Sequence, residues 1–274
     1  MQETSQTAQE GSHAIETGEA TPKPRQMSEK STTTPKTARK ATSAAKHPAL
    51  FVSAFKAIFM QRLSDMVIGG HHQYISGKIE FQKAYFLASK FESIYQTGLS
   101  RLEQSRRRGR GKAAFRWQAW YCETTGIVHW VLLKSTGQMP VEAEGEKWQD
   151  ATSRNRLTAP GGYELVRITK PTEPRPVWTW RYSKNYYERL RESILGDIRG
   201  RRDVQFAQLV SQIWRTPGFA GARSQVKQIK ILIQAEWKRN RGSDPLPDIP
   251  DRIGYVRRLA NKGQVLKKPN PSKT

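Results

Sequence analysis

Two aromatic runs on either side of a short turn constrain this chain most. Phe115-Arg116-Trp117-Gln118-Ala119-Trp120-Tyr121-Cys122 leads through Thr124-Thr125-Gly126 into Ile127-Val128-His129-Trp130-Val131-Leu132-Leu133. Aromatic and β-branched runs separated by a turn containing glycine read as a β-hairpin. Alternation places Phe115, Trp117 and Tyr121 on one face, and Arg116, Gln118, Trp120 and Cys122 on the other. The return strand is apolar on both faces. The hairpin therefore belongs at the centre of a sheet, covered on one side by helices. Large rings in a strand more often build a core than a binding platform, because their burial dominates core energetics.

A basic, glycine-broken run precedes the hairpin: Arg106, Arg107, Arg108, Gly109, Arg110, Gly111 and Lys112. Charge beside flat rings is what single-stranded nucleic acid requires. The whole chain leans the same way, with 47 Lys and Arg against 24 Asp and Glu, a formal net charge of +23. Such an excess attracts polyanions non-specifically. DNA or RNA is the expected partner, with an acidic protein or an anionic surface as other possibilities. No apolar run approaches the roughly 18–20 residues of a membrane span, and the N-terminus carries no signal-peptide pattern. A cytoplasmic protein is expected. The single cysteine, Cys122, excludes an internal disulfide framework and a cysteine-rich zinc site. In a strand it is expected to be a buried, inert thiol.

The fold class expected is α+β. Residues 1–45 carry almost no large apolar side chain and read as a disordered tail, basic in its later part. Residues 46–105 read as a helical pair. Pro48 would open the first helix, with Leu50, Phe51, Phe55, Ile58, Phe59, Leu63 and Val67 at helical spacing, and Gly69-Gly70 would stop it. The second would run from Ile79 to about Leu102. Residues 106–182 read as the basic run plus a small antiparallel sheet of four strands: the hairpin, then Tyr163 to Ile168 and Pro176 to Tyr182. Pro176 must begin its strand or lie on an edge. Residues 183–242 read as a three-helix bundle, with Ser183 and Asp203 as caps and a last helix from about Ala222 to Arg241. Residues 243–274 read as a Pro-rich linker, a short basic helix over Tyr255 to Asn261, and a frayed end.

Two basic stretches are the leading binding candidates. In the 106–112 run, Arg106, Arg107, Arg108, Arg110 and Lys112 offer phosphate-fitting forks and charge, and the glycines allow close backbone approach. On the last helix, Arg223, Lys227, Lys230, Gln234, Lys238 and Arg241 recur at steps of three or four and share a face opposite Val226, Ile229, Ile233 and Trp237. No acidic partner is visible within that stripe. With the helix before it, it allows a helix-turn-helix reading, although the connection Thr216 to Gly221 is long for one. Arg181 joins the list beside Trp178, Trp180 and Tyr182, which form either a stacking platform or, as favoured here, the inner face of the sheet.

Enzyme readings are thinner. Tyr186 and Tyr187 open a helix directly after the sheet, where a nicking or replication-initiating endonuclease would carry a catalytic tyrosine. The paired histidines that such an enzyme needs for its metal are missing around His129, and His71-His72 are adjacent rather than alternate. Gly70 to Lys78 has the wrong spacing for a P-loop, with Ile79 where Ser or Thr should be. Asp150, Glu164 and Lys170 could in principle serve magnesium hydrolysis, but their spacing is not distinctive. No Gly-x-Ser-x-Gly elbow exists. No metal site or cofactor is expected.

Five short stretches carry a resemblance: Val128-His129-Trp130, Gly162 to Arg167, Trp178-Thr179-Trp180-Arg181, Pro217 to Gly221 and Gly254 to Arg258. With them, Phe115 to about Leu259 resembles uncharacterised accessory proteins of bacterial plasmids and integrative conjugative elements. The resemblance implies a mobile-element setting, with other element proteins as further partners, and carries over no catalytic residue.

Overall fold

The computed structural model describes residues 50–170, 173–242 and 244–269. The tail expected over residues 1–45 lies outside them, as does Pro48. The described chain opens with a short strand, β1 (Phe51–Ser53), where a helix was expected. Helix α1 (Lys56–Ile68) follows and ends at Gly69, with Gly70 at φ +90° completing the turn. Strand β2 (Gln73–Glu80) was not anticipated at this length. The expected long second helix is two: α2 (Phe81–Tyr95) and α3 (Arg101–Gly109), broken where Gln96 adopts φ +54°.

The hairpin forms as expected, with β3 (Phe115–Cys122) and β4 (Ile127–Lys134) paired in full register. Beyond it lie the short strands β5 (Gln149–Asp150) and β6 (Thr158–Ala159), then β7 (Tyr163–Lys170) and β8 (Glu173–Tyr182). The four expected strands do not share one sheet. β3 and β4 are central in a mixed six-stranded sheet ordered β5-β2-β4-β3-β1-β9, whose last member is β9 (Gly263–Val265). β7 and β8 form a separate three-stranded sheet ordered β6-β7-β8. Pro176 lies in β8, an edge strand, where its missing N–H breaks no ladder.

The large sheet is covered on both faces, not one. Phe115, Trp117, Ala119, Val128 and Leu132 bury against Ala84, Ala88, Phe91 and Tyr95 of α2. Val131 and Leu133 face the other way, towards Phe59, Met60, Leu63 and Val67 of α1. The expected helical pair is thus split across the sheet. A close approach at Gly77 keeps β2 on β4: the two residues Gly77 and Trp130 are paired, and a Cβ at Gly77 would lie 2.6 Å from the indole.

Helices α4 (Lys184–Arg199), α5 (Asp203–Trp214) and α6 (Ala220–Arg241) occupy the expected C-terminal region. Ser183 caps α4 by accepting the Tyr186 N–H, whereas Asp203 is the first residue of α5 and Arg202 its cap. These helices are not a separate bundle. Their apolar faces join one core with α1, β7 and β8, centred on Trp180, which is fully buried and donates its indole N–H to the Met60 carbonyl at 2.9 Å. Burying two large rings of β8, Trp180 and Tyr182, decides the question of the aromatic face: it is an inner face.

The C-terminal segment differs most from expectation. It is neither a linker nor a helix. Ile249 and Ile253 are buried, Pro250 accepts the Trp214 indole N–H at 2.9 Å, and Asp244 accepts that of Trp237 at 3.1 Å. Gly218 and Gly254 meet so closely that a Cβ at Gly218 would strike the Gly254 carbonyl, and the Val256 N–H bonds the Gly218 carbonyl at 3.1 Å. β9 then pairs antiparallel with β1. Among the described residues no helix is long and apolar enough to cross a membrane.

Candidate nucleic-acid interface

The 106–112 run is helical for more than half its length. A capping box starts α3, with the Ser100 hydroxyl accepting the Glu103 N–H and the Glu103 carboxylate accepting the Ser100 N–H at 2.7 Å. Arg106, Arg107 and Arg108 fill the last turn, where the negative end of the helix dipole favours cations. The chain then turns at Gly111, φ +72°. The five cations have different fates. Arg107 donates to the Gln96 side chain at 2.6 Å and lies over the Phe115 ring. Arg108 donates to the Gly69 carbonyl at 2.9 Å, tying α3 to the end of α1. Arg106, Arg110 and Lys112 are exposed and make no ion pair among the described residues.

The α6 stripe is largely neutralised. Lys230 pairs with Asp251 at 2.8 Å. Arg241 is only 6% exposed, packs over Trp237, and pairs with Asp203. Arg223 donates to the Ile253 carbonyl at 2.9 Å and stacks on Tyr255 with 3.4 Å to the ring centre. The acidic and aromatic partners come from residues 203 and 251–255, so the helix's own sequence does not show them. Of this set, Lys227 and Lys238 remain exposed and make no ion pair among the described residues. Glu236, buried on the same helix, binds Arg199 of α4 at 2.6 Å and Arg239 at 3.1 Å. Arg199 holds its carboxyl below the usual range. A helix whose basic face is capped by residues 251–255 and whose inner face lies on β8 cannot enter a major groove as a helix-turn-helix would.

Arg181 is likewise occupied: its Nε donates to Glu164 at 2.8 Å, and Glu164 also takes Arg156 at 2.8 Å. That removes Glu164 from the set of free carboxylates. Tyr186 and Tyr187 sit in the first turn of α4, half buried. Tyr186 packs on Tyr182 with ring centres 5.1 Å apart, and Tyr187 donates to Gln228 at 3.1 Å. Burial raises both phenols above their ordinary value, which works against a phenolate nucleophile. Among the described residues no group of three or more His, Cys, Asp or Glu could hold a metal ion. His71 and His72 precede β2 and are not on a strand at all. Cys122 ends β3 half-exposed rather than buried, and hydrogen bonds from Thr125 pull its thiol down.

The structure assembles cations that the sequence left scattered. Arg62 of α1, Arg101 and Arg108 of α3, Arg116 of β3 and Arg258 line one cavity of about 640 Å³. The one carboxylate among its described lining residues is Asp65, which binds Arg258 at 2.6 Å and Arg62 at 3.4 Å. Arg62 also donates to Asn261 and to the Leu259 carbonyl, each at 2.5 Å. The one visible signal was Arg116, an arginine on the mixed face of an otherwise aromatic strand. No known protein family, curated protein or solved structure matches the chain.

Proposed function

We propose that this chain is a nucleic-acid-binding accessory protein of a mobile genetic element, serving replication, transfer or regulation, and that it holds DNA or RNA mainly through phosphate contacts. One observation carries the reading. Of the two basic stretches, the end of α3 keeps Arg106, Arg110 and Lys112 exposed and without ion pairs among the described residues, while the α6 stripe is mostly occupied. Free cations release counterions when they meet phosphates; cations already paired must first give up their carboxylates. The mobile-element setting rests on the resemblance of residues 115–259 alone. Three of its five stretches, 178–181, 217–221 and 254–258, meet at one junction, where Gly221 packs on the Trp180 carbonyl and donates to the Thr179 hydroxyl at 3.2 Å. That junction accounts for them as packing elements rather than as contacts to a ligand.

The test is binding of the full chain to labelled duplex DNA, single-stranded DNA and RNA across a salt series. Affinity that falls steeply with salt, with Arg106→Gln/Arg110→Gln/Lys112→Gln flattening the fall, supports the proposal. Weak binding to all three at low salt points instead to a basic scaffold that docks an acidic protein.

A further inference from the structure

The arginine cavity holds a feature that the surface reading does not use. Arg116 is 7% exposed, makes no hydrogen bond or ion pair among the described residues, and has its Nη1 sealed from solvent. A guanidinium carries five N–H donors and stays charged, so one with a sealed, unpaired nitrogen is a cost the fold retains without an internal partner. Beside it, His71 is 6% exposed and its ring nitrogens make no hydrogen bond of normal geometry. Its nearest influences are unfavourable: burial, then Arg108 and Arg116, push the imidazole down to about 4 against weaker support from the Met66 carbonyl and Gln104. Burial and Arg101 lower Arg116 to about 10. The cavity is therefore short of negative charge. Asp65 is already taken by Arg258 and Arg62. The N-terminal turn of α3 lines the same space through Ser100, Arg101 and Gln104, and a helix N-terminus favours anions.

We propose that this cavity is a binding site for a phosphate monoester, whose terminal oxygens are taken by Arg116 at the base, Arg108 at the side and Arg101 at the rim. Three oxygens carrying close to two charges match three forked donors arriving from two elements, α3 and β3. A diester inside a strand offers only two free oxygens and a single charge, a poorer match to those donors. The 640 Å³ volume exceeds what phosphate alone fills, leaving room for the attached sugar. The source is either a phosphorylated nucleic-acid end or a small phosphate compound.

The experiment uses the full chain at pH 7.5. Thermal unfolding is compared in sodium phosphate and in sodium chloride of equal ionic strength. Phosphate at about 10 mM raises the wild-type midpoint by about 3 °C or more, through preferential binding to the folded state. Arg116→Met does not respond, and its own midpoint is no lower than wild type, because it removes a buried unpaired charge. Arg101→Gln, at the exposed rim, weakens the phosphate effect without disturbing the fold. Strands carrying a 5′-phosphate, a 3′-phosphate or only hydroxyl ends are then compared. A roughly tenfold advantage for one phosphorylated end, lost in Arg116→Met, identifies a nucleic-acid end as the source. A phosphate response without that advantage identifies a small phosphate compound. Affinity for the hydroxyl-ended strand reports the surface reading separately and stays the same in Arg116→Met. No phosphate response in wild type, or an equal response in Arg116→Met, overturns the site.

Discussion

The two basic regions look alike in sequence and differ in the folded chain. Both offer five or six cations in a short span. At α6 the fold brings carboxylates and a ring to meet them: Asp251 to Lys230, Asp203 to Arg241, Tyr255 to Arg223. At α3 it brings further arginines, so that Arg108 shares a cavity with Arg62, Arg101, Arg116 and Arg258. The number of cations in a stretch therefore says little about its use. What matters is whether remote segments deliver neutralising groups or more of the same charge. An ion-paired lysine is part of the structure. An arginine surrounded by arginines is only half satisfied, and an anion completes it.

The comparison can be broken in several ways. The largest effect is expected from acid. His71 is depressed from 6.5 to about 4, chiefly by burial and then by Arg108 and Arg116, with Gln104 and the Met66 carbonyl opposing. The unfolded chain thus binds the proton more readily than the folded one. The stability is complete above pH 6.5 and is lost as pH falls towards 4, by roughly 3 kcal/mol in all. Urea unfolding at pH 7 and pH 4.5 should show this loss, smaller in His71→Gln and smaller again when phosphate occupies the cavity. A pH-independent difference between the two proteins would show that His71 binds its proton equally well folded and unfolded, which contradicts the depression.

Next in size is Asp203→Ala. It leaves Arg241 buried with only Asp244, 3.8 Å away, and should cost about 2 kcal/mol in chemical unfolding. Its nucleic-acid affinity should not rise, because Arg241 remains buried under α5. A gain of tenfold would show that the α6 stripe is a binding face held in check. Arg108→Gln should cost about 1 kcal/mol through the lost bond to the Gly69 carbonyl, and should also relieve His71. The smallest effect belongs to Lys230→Gln. It should change nucleic-acid affinity by less than about twofold, since a paired side chain releases few counterions.

The hairpin was legible because aromatic and β-branched residues alternate up to its turn; β3 has the expected limits and β4 runs one residue further, to Lys134. Helices α4 and α6 were legible from Ser183, from the Val226, Ile229, Ile233 and Trp237 stripe, and from Gly242 at φ +57°. β1 and β9 were not. Each is three residues long and is held by remote pairing, Phe51 with Val265 and Ser53 with Trp120. β2 was hidden because Gly77 and Lys78 weaken its pattern, although Trp130 requires that glycine. Pro245, Pro247 and Pro250 gave the C-terminal segment the composition of a linker, whereas Ile249 and Ile253 anchor it over α6. The same hidden docking placed Asp251 on Lys230 and so removed the apparent α6 site. The arginine cavity was out of reach for a related reason: its members come from positions 62, 101, 108, 116 and 258, and only the fold makes them neighbours.

The central claim is that α3, and not α6, meets the phosphates. It is tested most directly by anisotropy of the full chain with a labelled single strand from about 50 to 200 mM salt, comparing wild type with Arg106→Gln/Arg110→Gln/Lys112→Gln and with Arg223→Gln/Lys230→Gln. The plot of log affinity against log salt should be shallower by about two in the α3 variant and nearly unchanged in the α6 variant. A wild-type slope in the α3 variant, with the loss in the α6 variant instead, would contradict the account.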